Sequence, residues 1–195
     1  MPDPLTCRQL VPPRIAAIFP RLRCIIDCTE IFVQRPQGSA DQAAVYSQYK
    51  KHTTYKTLIG ILANGFICFV SPSWGGRTSD NYIFKNSGSL ELLECGDQLL
   101  ADKGFMVNDE LLRRKIDINI PPASTGVAQF PSENVEQGQR IANVRIHVER
   151  AIGRMRTYKV LQGVLPATMS AFVDKVFRAV AILVNLQDEL VHSDH

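Results

Sequence analysis

Three carboxylates in this sequence of 195 residues stand where a carboxylate needs a reason. Asp27 lies inside CIIDCTEIFV (24–33), a β-branched, apolar run that reads as a central strand. A lone carboxylate buried there costs several kcal/mol or gives up its charge. Asp102 closes the short apolar run of QLLADKGF (98–105), and Glu149 belongs to a long helical segment. Carboxylates that converge make a site for hard cations such as Mg²⁺, which prefer oxygen ligands and keep several waters. Two such ions about 3.5–4 Å apart can activate a water and stabilise the leaving oxygen in phosphodiester cleavage. Spacing alone does not show convergence, because a carboxylate at a strand end also serves as a cap or a salt-bridge partner.

The helix carries further charge. Arg145, Glu149 and Arg156 recur at steps of four and seven and so project from one side. A solvated face stabilised by charge pairs has the same pattern. His147 lies about 200° round the helix from Glu149 and suits a solvent or core contact better than a ligand. Lys50, Lys51, His52 and Lys56 cluster in one segment, and Arg140, Arg145, Arg150, Arg154 and Arg156 recur in another. Local patches of this kind displace counterions from phosphates, although a solvated surface looks similar. The formal net charge of +3, from 22 basic and 19 acidic residues, does not by itself define a nucleic-acid binder. Trp74, the only tryptophan, suits core packing, with stacking on a base as the alternative.

The elements that must position these residues follow from period and punctuation. Residues 8–19, with Pro12 and Pro13, read as a short helix and turn. After the strand at 24–33, residues 38–48 are polar and rich in small residues and are expected to end in a short helix. TYKTLIGILA (54–63) and GFICFV (65–70) are two strands joined at Asn64-Gly65, a strong hairpin signal. Gly75 and Gly76 then break the chain, and Ser79 or Asp80 caps a helix over 80–86. A strand ending at Asp102, a helix over 108–115 and a strand at INIPP follow. From 134 to 158, Ile141, Val144, Val148, Ile152 and Met155 mark one apolar helix face. A last helix, 167–190, is apolar nearly all round its middle and is expected to be buried. The result is a single α/β domain over 1–195.

Composition narrows the classes. Apolar residues make up 45% and charged residues 21%, enough for a packed core. No apolar run is long enough to span a bilayer, and the N-terminus lacks the form of a secretory signal, so an intracellular protein without a membrane is expected. The five cysteines form no CxxC pair and read as small buried thiols, with Cys24 and Cys28 on one strand face.

IIDCTEI, GGRTSDNYIF, LLADKGF and NVRIHVERAIGRMR occur in the order seen in PIF/Harbinger-type transposases, and the chain resembles their DDE endonuclease domain over about residues 18–190. The resemblance implies a ribonuclease-H-like fold, a mixed five-stranded sheet flanked by helices. It matches the catalytic, metal-holding carboxylates to Asp27, Asp102 and Glu149. It implies two Mg²⁺ or Mn²⁺ ions as cofactor and DNA as substrate, with Lys103, Arg145 and Arg156 as candidate phosphate contacts. Asp80 competes with Asp102 as the second carboxylate, but its place at a helix N-terminus favours a cap or supporting role. Ala142 stands where the related helix signature has Tyr, and Arg156 stands where it has Lys. The family carries a helical DNA-binding region upstream, for which the residues before Asp27 leave no room. A separate DNA-binding partner protein and a homodimer are therefore both compatible with the resemblance, as is nuclear localisation, with or without a cytoplasmic pool. The alternative is a domesticated or truncated derivative that acts as a non-cleaving DNA- or protein-binding module.

Overall fold

The computed structural model describes residues 1–35, 43–102, 104–105, 109–121 and 132–190, with 132–137 described by their backbone alone. Two short helices lead in, α1 (Pro4–Gln9) and α2 (Pro13–Ala16), where a single one is expected from the sequence. Pro12 and Pro13 separate them, since a proline opens a helix readily but cannot continue one.

The β-branched run forms a long strand, β1 (Leu22–Val33). Two-residue β2 (Tyr46–Ser47) turns into β3 (His52–Ile61), which pairs antiparallel with β1 so that Asp27 faces Ile59 and Glu30 faces Lys56. The Asn64-Gly65 turn then delivers β4 (Ile67–Val70), with Gly65 at φ 93°, a left-handed conformation that suits glycine. Past Pro72 the edge resumes as two-residue β5 (Trp74–Gly75). Helix α3 (Asp80–Asn86) follows over the expected residues, with the Ser79 hydroxyl accepting from the Tyr82 N–H.

Strand β6 (Gln98–Leu100) pairs parallel with β1, and helix α4 (Asp109–Arg113) crosses to β7 (Asp117–Asn119), parallel to β6. The five principal strands thus run β4-β3-β1-β6-β7 in a curled mixed sheet. With helices on both faces, this is a ribonuclease-H-like fold. Strand β6 ends at Leu100 rather than at the expected Asp102, so Asp102 sits two residues beyond the ladder.

Strand alternation divides the core in two. Ile25, Ile31, Ile59 and Ile61 point to one face, where the long helix α5 (Ser132–Arg156) packs Ile141, Val144, Val148, Ile152 and Met155 against them. Cys24, Ile26 and Leu58 point to the other face, covered by Ile83 and Phe84 of α3 and Leu111 of α4. After two-residue β8 (Val164–Leu165), the segment expected as one buried helix splits. A 3₁₀ stretch (Ala167–Phe172) precedes α6 (Val173–Asn185). Only one side of α6 is buried, through Val173, Phe177, Val180, Ala181 and Val184, while Ile182 and Leu183 are exposed. The periodicity counts apolar residues but does not say how many of its faces find cover.

The cysteines are all free, with Cys7 and Cys24 buried, Cys28 and Cys68 half-buried and Cys95 exposed. Cys95 therefore departs from the expectation of buried thiols. Among the described residues no helix is long and apolar enough to cross a membrane.

Candidate active site

Asp27 occupies the middle of β1, on the central strand and on the face covered by α5. Its odd-numbered neighbours Ile25 and Ile31 go into the core, but Asp27 keeps a polar environment. One carboxylate oxygen accepts a hydrogen bond from the Cys28 N–H at 2.8 Å. Burial pushes its carboxyl up to about 6, the negative charges of Asp102 and Asp80 add to the rise, and the Cys28 N–H and the Arg145 guanidinium oppose it.

Asp102 comes to this group from the loop just past β6, and its carboxylate lies 3.4 Å from Arg145 Nη1. Arg145 reaches in from α5 with only 9% of its surface exposed, and its Nε has no hydrogen-bond partner among the described residues. The Arg145 guanidinium thus pairs with Asp102 and acts on Asp27 through its charge. Glu149 lies on the same helix about 6 Å further along the axis and about 40° round it, and is exposed. Among the described residues no three His, Cys, Asp or Glu side chains stand close enough together to hold a metal ion. The structure therefore pairs Asp102 with Arg145 within electrostatic reach of Asp27, and leaves Glu149 one turn further along the helix.

Asp80 belongs to a second cluster beside the first. It is the first residue of α3, while Ser79 supplies the cap. Its carboxylate accepts from Lys56 Nζ at 3.0 Å, and the same ammonium lies 3.5 Å from Glu30. Glu30 in turn accepts from the Thr54 hydroxyl at 2.7 Å. Lys56, grouped by sequence with the basic patch at 50–52, instead turns into the sheet to neutralise two carboxylates. The cross-strand pairing of Glu30 with Lys56 was the signal that could have found this pair. Asp80 also packs against the loop that carries Asp102. A Cβ placed on Gly104 would fall 2.6 Å from the Asp80 carboxylate, so only a glycine permits this approach without a shift.

The remaining residues singled out by sequence have protein partners or fall elsewhere. Arg156 donates to the buried Thr29 hydroxyl at 2.9 Å, tying the end of α5 to β1. Trp74 packs against the second core cluster and meets Tyr82 edge to face at 5.5 Å. His147 is buried, and burial together with Arg150 and Arg14 lowers its pKa. Lys103 lies outside the described residues.

The donor chemistry suits a hard divalent cation: oxygen ligands only, mutual repulsion that a cation relieves, and one carboxylate held off its ordinary acidity by burial. The chain belongs to the DDE superfamily endonucleases, whose pattern it matches over residues 26–185. Such domains act on DNA and generally use divalent metals. A search of curated proteins found no match.

Proposed function

We propose that this chain is the catalytic domain of a PIF/Harbinger-type cut-and-paste transposase, which cleaves DNA phosphodiester bonds with the help of two Mg²⁺ or Mn²⁺ ions. The observation that carries the reading is the Asp102–Arg145 ion pair set within electrostatic reach of Asp27 on the central strand. Asp27, Asp102 and Glu149 would hold the cations. Bound there, the cations supply Lewis-acid activation of the attacking water and stabilisation of the leaving oxygen. In-line attack by water on phosphorus breaks one phosphodiester bond and frees a 3′ hydroxyl. That hydroxyl then attacks a target phosphodiester, so that one P–O bond forms as another breaks. Arg145 balances the carboxylates from the helix side, and Lys103 and Arg156 are candidates to meet the phosphates. Asp80, fixed by Lys56, supports the Asp102 loop without holding metal. The substrate argues for a nuclear protein.

A second reading, a non-cleaving DNA- or protein-binding module, draws on Glu149, which is exposed and stands apart from the other two carboxylates. Purified protein incubated with labelled DNA and Mn²⁺ or Mg²⁺ separates the two. Metal-dependent nicking should be lost in Asp27→Ala, Asp102→Ala and Glu149→Ala and retained in Asp80→Ala. Nicking lost in Asp80→Ala but kept in Asp102→Ala would overturn the choice of second carboxylate. No nicking by a folded, DNA-binding wild type would favour the binding module.

A further inference from the structure

A cleft of about 820 Å³ opens at the far end of β1, away from the acidic centre, and is lined by basic groups from three separate segments. Arg35 follows the end of β1, Lys51 and His52 come from the β2–β3 hairpin, and Arg77 comes from the turn between β5 and α3. No Asp or Glu is among the described residues that line it. All four basic side chains are exposed, which suits phosphates presented by a surface-bound polymer better than a small buried anion. The hairpin holds Lys51 at φ 52°, a left-handed conformation that a non-glycine residue adopts at a cost. Beside it, Lys50 Nζ lies 5.0 Å from the centre of the Tyr49 ring, and the His52 ring meets Phe32 at 4.9 Å.

We propose that this cleft binds the phosphate backbone of duplex DNA extending from the acidic centre. The proposal rests on the reading of that centre as DNA-acting. Val33, at the cleft, is six residues along β1 from Asp27, or about 20 Å at roughly 3.3 Å per residue. At about 3.4 Å per base pair this equals about six base pairs. Arg77 lies three residues before Asp80, so a single turn joins the cleft to the acidic clusters. Contacts of this kind fix position on the duplex without reading its sequence.

Fluorescence anisotropy in EDTA, with a labelled 20-base-pair duplex across a salt series, tests the cleft independently of cleavage. Replacing Lys51 and Arg77 together by Gln should weaken binding at least tenfold at low salt. It should also lower the log–log salt slope by about 2, at roughly 0.9 per phosphate contact. Lys51→Gly, which removes the charge while easing the left-handed backbone, should weaken binding without loss of thermal stability. Lys175→Gln with Arg178→Gln, an equal charge change on exposed positions of α6, should leave affinity within about twofold. Equal losses from both doubles would overturn the cleft in favour of general electrostatics. Wild-type affinity and slope in the Lys51 and Arg77 variants would also overturn it, as would cleft-dependent preference for a single strand or an acidic protein over duplex. Nicking is scored separately: cleft-dependent binding without any metal-dependent nicking would sink the nuclease reading and leave the cleft standing.

Discussion

Asp27→Asn should make the metal-free protein more stable near neutral pH. The wild-type carboxyl stands at about 6 in the folded chain against an ordinary 3.8, with burial as the chief cause. At about 1.4 kcal/mol per tenfold change in acidity, holding it ionised in the fold costs about 3 kcal/mol. The sign follows from proton binding. Between about pH 4 and pH 6 the folded state keeps a proton that the unfolded state has released, so wild-type stability falls as pH rises through that window and levels off above it. Asparagine carries no charge at any of these pH values and retains an oxygen for the Cys28 N–H. Relative to wild type, the variant should gain little at pH 4 and about 2–3 kcal/mol at pH 7–8. For a chain of this size that is several degrees in melting temperature. Urea denaturation of both proteins in EDTA, from pH 4 to pH 8, reads this difference directly. A difference that stays flat with pH, or an asparagine variant less stable at pH 7.5, would refute the assignment of Asp27 as a half-buried, electrostatically costly carboxylate.

Other perturbations test the supporting structure. Gly104→Ala should cost about 1–3 kcal/mol, because the new methyl meets an Asp80 carboxylate that Lys56 holds in place; urea midpoints measure the loss, and an unchanged midpoint would separate the Asp80 cluster from the Asp102 loop. Lys56→Met should cost about 3–5 kcal/mol by stranding Glu30 and Asp80, and adding Glu30→Gln should recover part of that loss in a double-mutant cycle. Asn185→Ala should cost about 1–3 kcal/mol, since the Asn185 amide makes two hydrogen bonds to the Ile67 backbone on edge strand β4. Ile182→Gln on the exposed side of α6 should change stability by less than about 0.5 kcal/mol in the same assay.

Most of the scaffold was legible because it is written in local period and punctuation. The β-branched run around Asp27, the Asn64-Gly65 turn, the helix after Ser79 and the apolar stripe from Ile141 to Met155 all appear where the sequence predicts them. Periodicity could not find the two-residue strands β2, β5 and β8, which are too short to show a period and are set by the strands they pair with. It also could not tell that α6 would be covered on one side only, since that depends on which neighbours reach it. At the site, alternation put Asp27 on the face of α5, and strand order brought Asp102 near it. Charge partners were less legible. Arg145 reads from sequence as one of several helix arginines, yet tertiary packing buries it against Asp102. Lys56 looks like part of the 50–52 patch until its register opposite Glu30 is known.

The most direct test of the proposed centre is cation binding itself. Isothermal titration of Mn²⁺ into metal-free wild type, repeated with Asp27→Asn and Glu149→Gln, asks whether these carboxylates hold the ions. Two bound ions in the wild type, none at comparable affinity in Asp27→Asn and at most one in Glu149→Gln, is the predicted result. Wild-type binding that survives Asp27→Asn unchanged would contradict a metal centre built on β1.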